Sequence, residues 1–205
     1  MMNKSNTKIY TIFKDGGDFK KEHVTNMKNM CYNNLNGLPF FCITKDWVFA
    51  NKIKPLNDFP GYWSKIELFR FQGPLIYFDL DIIIQKNILD IFDKIDNSNF
   101  ISLKDPNYDE FNSSIMMWNV DLSFIYKRFI ENPKKYIGMF KGDQDFITDC
   151  IRNSKIKHSY LQDFYKALSF KRDIKNSDDL QSPIIYFHGK PRPWEQKKIN
   201  YWQTV

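Results

Sequence analysis

The sequence has little cysteine, and its spacing gives the cysteines no shared role. Cys31, Cys42 and Cys150 are an odd number in 205 residues, lie far apart and form no Cys-x-x-Cys pair. This pattern excludes a disulfide framework and a cysteine-rich zinc site. We expect three buried thiols in a reducing compartment.

Long apolar runs are also missing. Residues 1–10 are polar and lack the apolar stretch of a secretory signal. No run approaches the roughly 20 apolar residues that a membrane-spanning helix needs. We therefore expect a soluble, cytoplasmic protein without a transmembrane segment.

The positive charge forms no block. The net charge is +6 and the pI is about 9.0, but like charges run no further than pairs such as Lys20-Lys21. Dispersed lysines are typical of a solvated surface, and they also suit an anionic ligand or a membrane surface. No nucleic-acid-binding motif occurs, so no nucleic-acid partner is expected.

The most informative stretch is the run Leu75-Ile76-Tyr77-Phe78-Asp79-Leu80-Asp81. An apolar run of this kind predicts a strand buried on both faces, and we extend it to Ile84. Side chains alternate along a strand, so Asp79 and Asp81 should point to one side at its carboxyl end. Open α/β sheets bind ligands at that edge, and two close carboxylates favour a bound cation. The stretch therefore predicts a metal site.

The remaining pattern predicts strands that alternate with helices. The chain opens with a strand at Ile9–Phe13, a glycine turn, a helix from Asp18 to about Leu35 with Asp18 or a neighbour as its cap, and a strand at Pro39–Thr44. Further strands are predicted at Asn99–Leu103, Ser114–Trp118 and Pro183–Phe187, and further helices at Trp63–Phe71, Ile88–Ile95, Leu122–Glu131 and Asp145–Arg152. Because no repeat or linker interrupts the chain, residues 1–205 are expected to form a single α/β domain.

Four blocks together resemble the nucleotide-sugar glycosyltransferases of the GT-A fold, of the glycogenin and lipopolysaccharide galactosyltransferase type, and the small glycosyltransferase domains of bacteria and large DNA viruses. The blocks are Tyr62-Trp63-Ser64-Lys65, Phe78-Asp79-Leu80-Asp81, Phe111-Asn112-Ser113 with Gly142-Asp143-Gln144-Asp145, and Phe187-His188-Gly189-Lys190-Pro191. A lone Asp-x-Asp is a weak signal, but these blocks in this order are specific.

The resemblance implies a Rossmann-like domain with a mixed, mostly parallel central sheet flanked by helices. It implies a metal-dependent enzyme that moves a hexose from a nucleoside-diphosphate sugar, first of all a UDP-sugar, to a carbohydrate or other hydroxyl acceptor, with Mn²⁺ or Mg²⁺ as cofactor. The chain is short for this class. We therefore expect the acceptor to be bound by an open groove, a partner or a further domain.

The resemblance also assigns the metal and phosphate ligands. Asp79, Asp81 and His188 would hold the cation, which acts as a Lewis acid on the diphosphate. Gly189 would let the backbone approach the phosphates, and Lys190 would add a positive charge there.

The Asp143-Gln144-Asp145 block is assigned to the reacting centre. Asp143 would bind sugar hydroxyls. For an inverting reaction, Asp145 is the first choice of general base and Asp143 the second. For a retaining reaction, Gln144 would lie near the reacting carbon.

Other donor contacts follow from the same resemblance. Lys65 is placed near the donor diphosphate or sugar, and Asn112 and Ser113 would bond sugar hydroxyls from a strand end. The family usually has glycine at the position of Ser114. The predicted contacts to base and ribose, for which core packing is a close alternative, are Thr11, Phe13 and Thr44.

Two alternatives stay open at this stage. A haloacid-dehalogenase-like phosphatase also has an Asp-x-Asp after an apolar strand, but here Ile82-Ile83-Ile84 follow and no downstream acidic metal pair appears. A non-catalytic nucleotide-sugar or glycan-binding module on the same fold is the second, since fold does not fix function.

Overall fold

The chain folds around a seven-stranded sheet, seen in a computed structural model that describes residues 6–46, 51–108, 110–177 and 180–204. None of the helices formed by these residues is long and apolar enough to cross a membrane. The strands are β1 (Lys8–Ile12), β2 (Phe40–Ile43), β3 (Lys52–Ile53), β4 (Leu75–Phe78), β5 (Ile83–Ile84), β6 (Asn99–Lys104), β7 (Phe111–Trp118), β8 (Lys157–Tyr160), β9 (Ala167–Ser169) and β10 (Ile184–Tyr186).

Within the described residues, four α-helices and several single-turn or 3-10 segments connect the strands. The α-helices are α1 (Lys21–Asn34), α2 (Ser123–Glu131), α3 (Pro133–Met139) and α4 (Asp143–Arg152). The 3-10 helices are Gly61–Arg70, Leu89–Lys94, Leu161–Asp163 and Pro193–Glu195, and a π-helical turn spans Phe170–Ile174.

The large sheet has the order β3-β2-β1-β4-β7-β6-β8. Every neighbouring pair is parallel except those of β7, which is antiparallel to both β4 and β6. The expected mixed, mostly parallel sheet is therefore confirmed. Because β7 is reversed, its first residues lie at the edge where β4 ends, with Phe78 opposite Ile115. This reversal brings β7 side chains to the carboxyl ends of the parallel strands.

A second sheet of three short strands has the order β5-β10-β9. β10 is antiparallel to β5 and parallel to β9. This sheet lies immediately after the acidic turn at residues 79–82, and so it anchors the chain on the far side of that turn.

Both faces of the large sheet are covered by apolar side chains. Along β4, Ile76 and Phe78 join the cluster that includes α1, whereas Leu75 and Tyr77 join the cluster that includes α2 and α4. All of β4 is buried, as the apolar run predicted. Burial on each face stabilises the fold by roughly 1.5–3 kcal/mol for each large apolar side chain.

The prediction of one strand from Leu75 to Ile84 was wrong. β4 ends at Phe78, and the Asp79 N–H makes a last bond of 2.8 Å to the Ser114 carbonyl. The Ile82 N–H then closes a turn on the Asp79 carbonyl at 3.2 Å, and Ile83 and Ile84 enter the second sheet. Apolar residues continue through the turn because both sheets are buried, so periodicity does not reveal the break.

The helix boundaries also differ from the prediction. Asp18 does not cap α1, which begins at Lys21, because the His23 Nδ1 accepts the Lys20 N–H at 2.8 Å. The segments predicted as helices at Trp63–Phe71 and Ile88–Ile95 are 3-10 helices. The elements missed by the sequence pattern are β3, β8, β9 and α3.

Candidate functional site

A cavity of about 490 Å³ opens at the carboxyl edge of the large sheet. Its size lies within the range of small-molecule sites. Its walls come from the loop after β1, the 3-10 helix Gly61–Arg70, the turn after β4 and the segment after β10. The lining residues are Ile12, Lys14, Asp15, Gly16, Gly17, Asp18, Phe19, Gly61, Tyr62, Ser64, Lys65, Tyr77, Asp79, Asp81 and Arg192.

A smaller cavity of about 200 Å³ adjoins the first and shares Ile12, Lys14, Asp15 and Ser64 with it. Phe13 and Thr44 line this second cavity. Thr11 lines neither: it is fully buried, and its hydroxyl donates to the Phe78 carbonyl at 2.9 Å. The structure therefore gives Thr11 a packing position within the sheet, away from the predicted base and ribose contacts.

Asp79 and Asp81 both line the larger cavity, although they belong to a turn and not to the strand itself. Asp79 accepts from Lys65 Nζ at 2.8 Å and from the Tyr77 hydroxyl. Asp81 is paired with Arg192, with 2.6 Å between Oδ2 and Nη1. Each carboxylate thus has one cationic partner at the cavity wall.

The environment of Asp81 favours additional positive charge. Burial and the neighbouring Asp79 raise the pKa of Asp81 to about 7, against the opposing effect of Arg192 and Lys65. Burial and a neighbouring like charge both disfavour the ionised form of a carboxyl group. A further cation at this point would stabilise its charged form.

Lys65 joins the acidic turn to the start of α4. Its ammonium donates to Asp79 Oδ2 at 2.8 Å and to Ser113 Oγ at 3.0 Å, and it lies 3.9 Å from Asp143 Oδ2. Ser113 in turn donates to Asp143 at 2.7 Å. Burial acts to lower the pKa of Lys65, but Asp79 and Asp143 outweigh it and the net pKa is raised. Lys65 is therefore a charged residue between two carboxylates, those of the partly buried Asp79 and the buried Asp143.

Asp143 belongs to this network, whereas its neighbours in the block do not. Burial raises the pKa of Asp143, whose side chain is almost fully enclosed. The Gln144 Nε2 donates to Asp105 at 3.3 Å. The Asp145 carboxyl neighbours that of Glu110, and burial followed by this neighbour raises the pKa of Glu110. Asn112 is also buried, and its Oδ1 accepts the Ser114 N–H at 2.9 Å.

Arg192 is the site residue that the sequence reasoning missed. Besides Asp81, it contacts Asp18 at 3.0 Å and lies 5.3 Å from the centre of the Phe19 ring. The sequence indicated only that the loop Lys190-Pro191-Arg192-Pro193 contains two basic residues. Which of these two side chains faces the cavity depends on the path of the loop.

His188, Gly189 and Lys190, which were predicted to contact the metal and the phosphates, do not line the cavity. Lys190 is exposed and paired with Glu195, and it does not line the cavity. Gly189 has a positive φ of 69°, which favours glycine, and lies beside Lys171. His188 Nε2 lies 2.9 Å from Ser169 Oγ, and burial lowers the pKa of this histidine. The structure does not bring these residues to Asp79 and Asp81.

The residues present fit a divalent cation held by two carboxylates. Over the described ranges, no three His, Cys, Asp or Glu side chains are grouped as a complete ligand set. Mg²⁺ commonly takes only one or two protein carboxylates and completes its shell with water and substrate phosphates. Asp79 and Asp81 supply such a pair at the cavity wall.

Comparison with solved structures identifies the fold. The glycosyltransferase GlyE of Streptococcus pneumoniae TIGR4 aligns with a TM-score of 0.67 and 15% identity, over 96% of this chain and 58% of GlyE. A glycosyltransferase involved in the glycosylation of the major capsid of PBCV-1 aligns with a TM-score of 0.56 and 11% identity, over 88% of this chain and 93% of that one. The bifunctional glycosyltransferase WbbM gives 0.54 and 9%, over 93% and 47%.

These likenesses confirm the predicted fold: the chain has a GT-A-type glycosyltransferase fold. It spans 58% of the length of GlyE, so it corresponds to only part of that protein. No protein-family model matches the sequence, and no curated protein matches it.

Proposed function

We propose that this chain is a metal-dependent glycosyltransferase that moves a hexose from a nucleoside-diphosphate sugar, most directly a UDP-sugar, to a hydroxyl acceptor. The observation that carries the proposal is the convergence of two carboxylates and two cations on one cavity at the carboxyl edge of a glycosyltransferase-type sheet: Asp79, Asp81, Lys65 and Arg192. Each cation is held by an ion pair with one of the two acids: Lys65 with Asp79, and Arg192 with Asp81.

The two adjoining cavities support an elongated donor. The larger one, with its charged residues, suits a diphosphate and a sugar, and the smaller one, lined by Phe13 and Thr44, suits a base. Four shared lining residues connect them, so one ligand can extend through both. The loop after β1 leaves room for it, because Gly16 and Gly17 have no atoms within 4 Å of where a side chain would begin.

The chemistry of the reaction matches these charges. When the bond between the sugar and the diphosphate breaks, negative charge develops on the departing phosphate oxygens, and fixed positive charge stabilises it. Arg192 and Lys65 would supply part of that charge from the protein. Asp79 and Asp81 would hold Mn²⁺ or Mg²⁺, which when bound supplies Lewis-acid stabilisation of the same oxygens.

The start of α4 would contribute the remaining roles. Asp143, held by Ser113 beside Lys65, is proposed to bind donor sugar hydroxyls. Asp145 remains the first choice of base for an inverting reaction, with Asp143 second, and Gln144 the neighbour of the reacting carbon for a retaining one. Of Lys190 and Arg192, it is Arg192 that lines the cavity, so Arg192 replaces Lys190 as the proposed phosphate contact. His188 is left without a proposed metal contact.

The test is a donor panel with Mn²⁺ or Mg²⁺, in which release of the nucleoside diphosphate is followed with and without sugar acceptors. We expect one donor to be turned over, and Asp79→Asn and Asp81→Asn each to lower the rate at least 100-fold. Glu131→Gln, at an exposed acid at the end of α2, is the control and should keep the wild-type rate.

Two outcomes would contradict the proposal. Tight donor binding without turnover of any donor would identify a binding module in place of an enzyme. Hydrolysis of simple phosphate esters, with no nucleotide-sugar used, would identify a phosphatase.

A further inference from the structure

Two exposed tyrosines that the proposed donor contacts do not use lie on either side of Lys141, and one of them, Tyr62, lines the larger cavity. Tyr62 lines the cavity and is 53% exposed, and Tyr108 is 65% exposed. Both contact Lys141: the Tyr62 hydroxyl donates to its carbonyl at 2.9 Å, and its ammonium lies 6.0 Å from the centre of the Tyr108 ring. Lys141 thus contacts both tyrosines, one through its carbonyl and the other through its ammonium.

The Tyr62 ring lies close to the start of α4. A side chain placed at Gly142 would begin 3.4 Å from Tyr62 Cε2 and 3.7 Å from an Asp145 carboxylate oxygen. Asp145 and the Tyr62 ring therefore both border the position of Gly142. Glu110 follows Tyr108 by two residues, and burial and then the neighbouring Asp145 carboxylate raise the pKa of Glu110. Carboxyl groups and aromatic rings thus occur together beside Tyr62, which lines the cavity.

We infer that Tyr62 and Tyr108 form a platform for the ring of a carbohydrate acceptor, with Glu110 and Asp145 beside it to bond its hydroxyls. This inference rests on the proposed function, and it names the acceptor class. A sugar ring has an apolar C–H face that packs on an aromatic ring and a polar edge that takes hydrogen bonds. Tyrosine at such a surface offers a large contact with little conformational entropy to lose.

The position favours a sugar over a lipid. The rings are separate and charged groups lie between and beside them, which does not suit an acyl chain. A single sugar ring is matched in size by one aromatic side chain, and the two tyrosines would take neighbouring units of an oligosaccharide. Gly142 leaves the space between Tyr62 and Asp145 open.

The test combines acceptor kinetics with ligand-detected NMR. With the donor identified above, lactose and methyl glycosides are compared with serine-, threonine- and tyrosine-containing peptides as acceptors. We expect transfer to a carbohydrate, and Tyr108→Ala to raise the acceptor KM at least tenfold with a much smaller change in the donor KM. Tyr108→Phe should restore the acceptor KM, because the ring face is kept.

Tyr32→Ala is the matched control. Tyr32 is a comparably exposed tyrosine at 56%, but it lies on α1 and lines neither cavity. This variant should keep the wild-type acceptor KM, and Tyr62→Ala should behave as Tyr108→Ala does.

Saturation-transfer NMR with lactose and methyl glycosides, in the presence of UDP and the diamagnetic Mg²⁺, needs no turnover. We expect a signal that Tyr108→Ala removes and Tyr32→Ala keeps. The platform would be refuted by an unchanged acceptor KM or signal in both Tyr62→Ala and Tyr108→Ala, or by transfer to peptides alone. Donor turnover to water that persists in these cases would leave the proposed function intact, so the two failures are distinguishable.

Discussion

At the scale of single residues, the site depends on charges that neutralise one another inside the protein. Lys65 is almost fully buried, and it lies between the carboxylates of Asp79 and Asp143 with Ser113 as a further acceptor. A buried ion pair is costly to break, because the group left behind remains charged in a poorly solvating environment. Lys65 is therefore needed for folding as well as for the proposed chemistry.

We expect Lys65→Met to lower the free energy of unfolding by about 3 kcal/mol, since it leaves the buried Asp143 and the partly buried Asp79 without their cation. Urea unfolding followed by circular dichroism measures this. Lys134→Met, at an exposed lysine of α3, is the control and should change the value by less than about 0.5 kcal/mol. An unfolding free energy unchanged by Lys65→Met would contradict the ion-pair network.

The sequence alone predicted only some of the charged residues that line the larger cavity. Asp79 and Asp81 were predicted because they follow an apolar strand, and Lys65 was predicted from the family resemblance; all three line the larger cavity. Arg192 was missed and Lys190 chosen, because the two lie in an irregular proline-rich loop without periodicity. In such a loop, tertiary contacts decide which side chain faces the cavity. Here these contacts are the ion pairs of Arg192 with Asp18 and Asp81.

At the scale of elements, the C-terminal segment 199–204 is bound along α1 and reaches the acidic turn. The buried Asn26 side chain donates to the Tyr201 carbonyl at 2.8 Å and accepts the Gln203 N–H at 2.6 Å. The Tyr201 hydroxyl then donates to the Leu80 carbonyl at 2.7 Å, between the two aspartates. The segment therefore supports the turn that presents Asp79 and Asp81.

Asn26→Ala should lower the free energy of unfolding by about 2 kcal/mol, because it leaves two backbone groups of the segment without partners. Asn33→Ala is the matched control. Asn33 also lies on α1 and bonds the Thr204 carbonyl at 3.0 Å, but this contact is exposed to water. Its loss should cost less than about 0.5 kcal/mol in the same urea titration. Equal effects of the two variants would show that the Asn26 contacts do not hold the segment.

Elements with a long apolar pattern were predicted well, and short ones were not. The strands at β1, β2, β4, β6, β7 and β10 and the helices α1, α2 and α4 were each expected near their observed positions. β3 has two residues and β9 is only Ala-Leu-Ser, whereas β10 lies in the longer apolar run Ile184-Ile185-Tyr186-Phe187. β3 and β9 form because a neighbouring strand is already in place to pair with them, which a local pattern does not contain.

At the scale of the whole molecule, the reversed strand β7 connects sheet topology to the site. Because β7 runs against β4 and β6, its first residues, including Asn112 and Ser113, lie at the carboxyl edge of the sheet beside the acidic turn. Ser113 reaches Lys65 and Asp143 from there. Asn112 and Ser113 were predicted to lie at the end of a strand, and in the structure they are the second and third residues of β7.

The central claim is that Asp79 and Asp81 hold a cation together with a nucleoside diphosphate in the larger cavity. Isothermal titration calorimetry with UDP, with and without Mn²⁺, tests it most directly. We predict that Mn²⁺ strengthens UDP binding at least tenfold, or about 1.4 kcal/mol, in the wild type and not in Asp79→Asn or Asp81→Asn. UDP binding that is independent of Mn²⁺ in all three proteins would contradict the claim, and so would the absence of UDP binding.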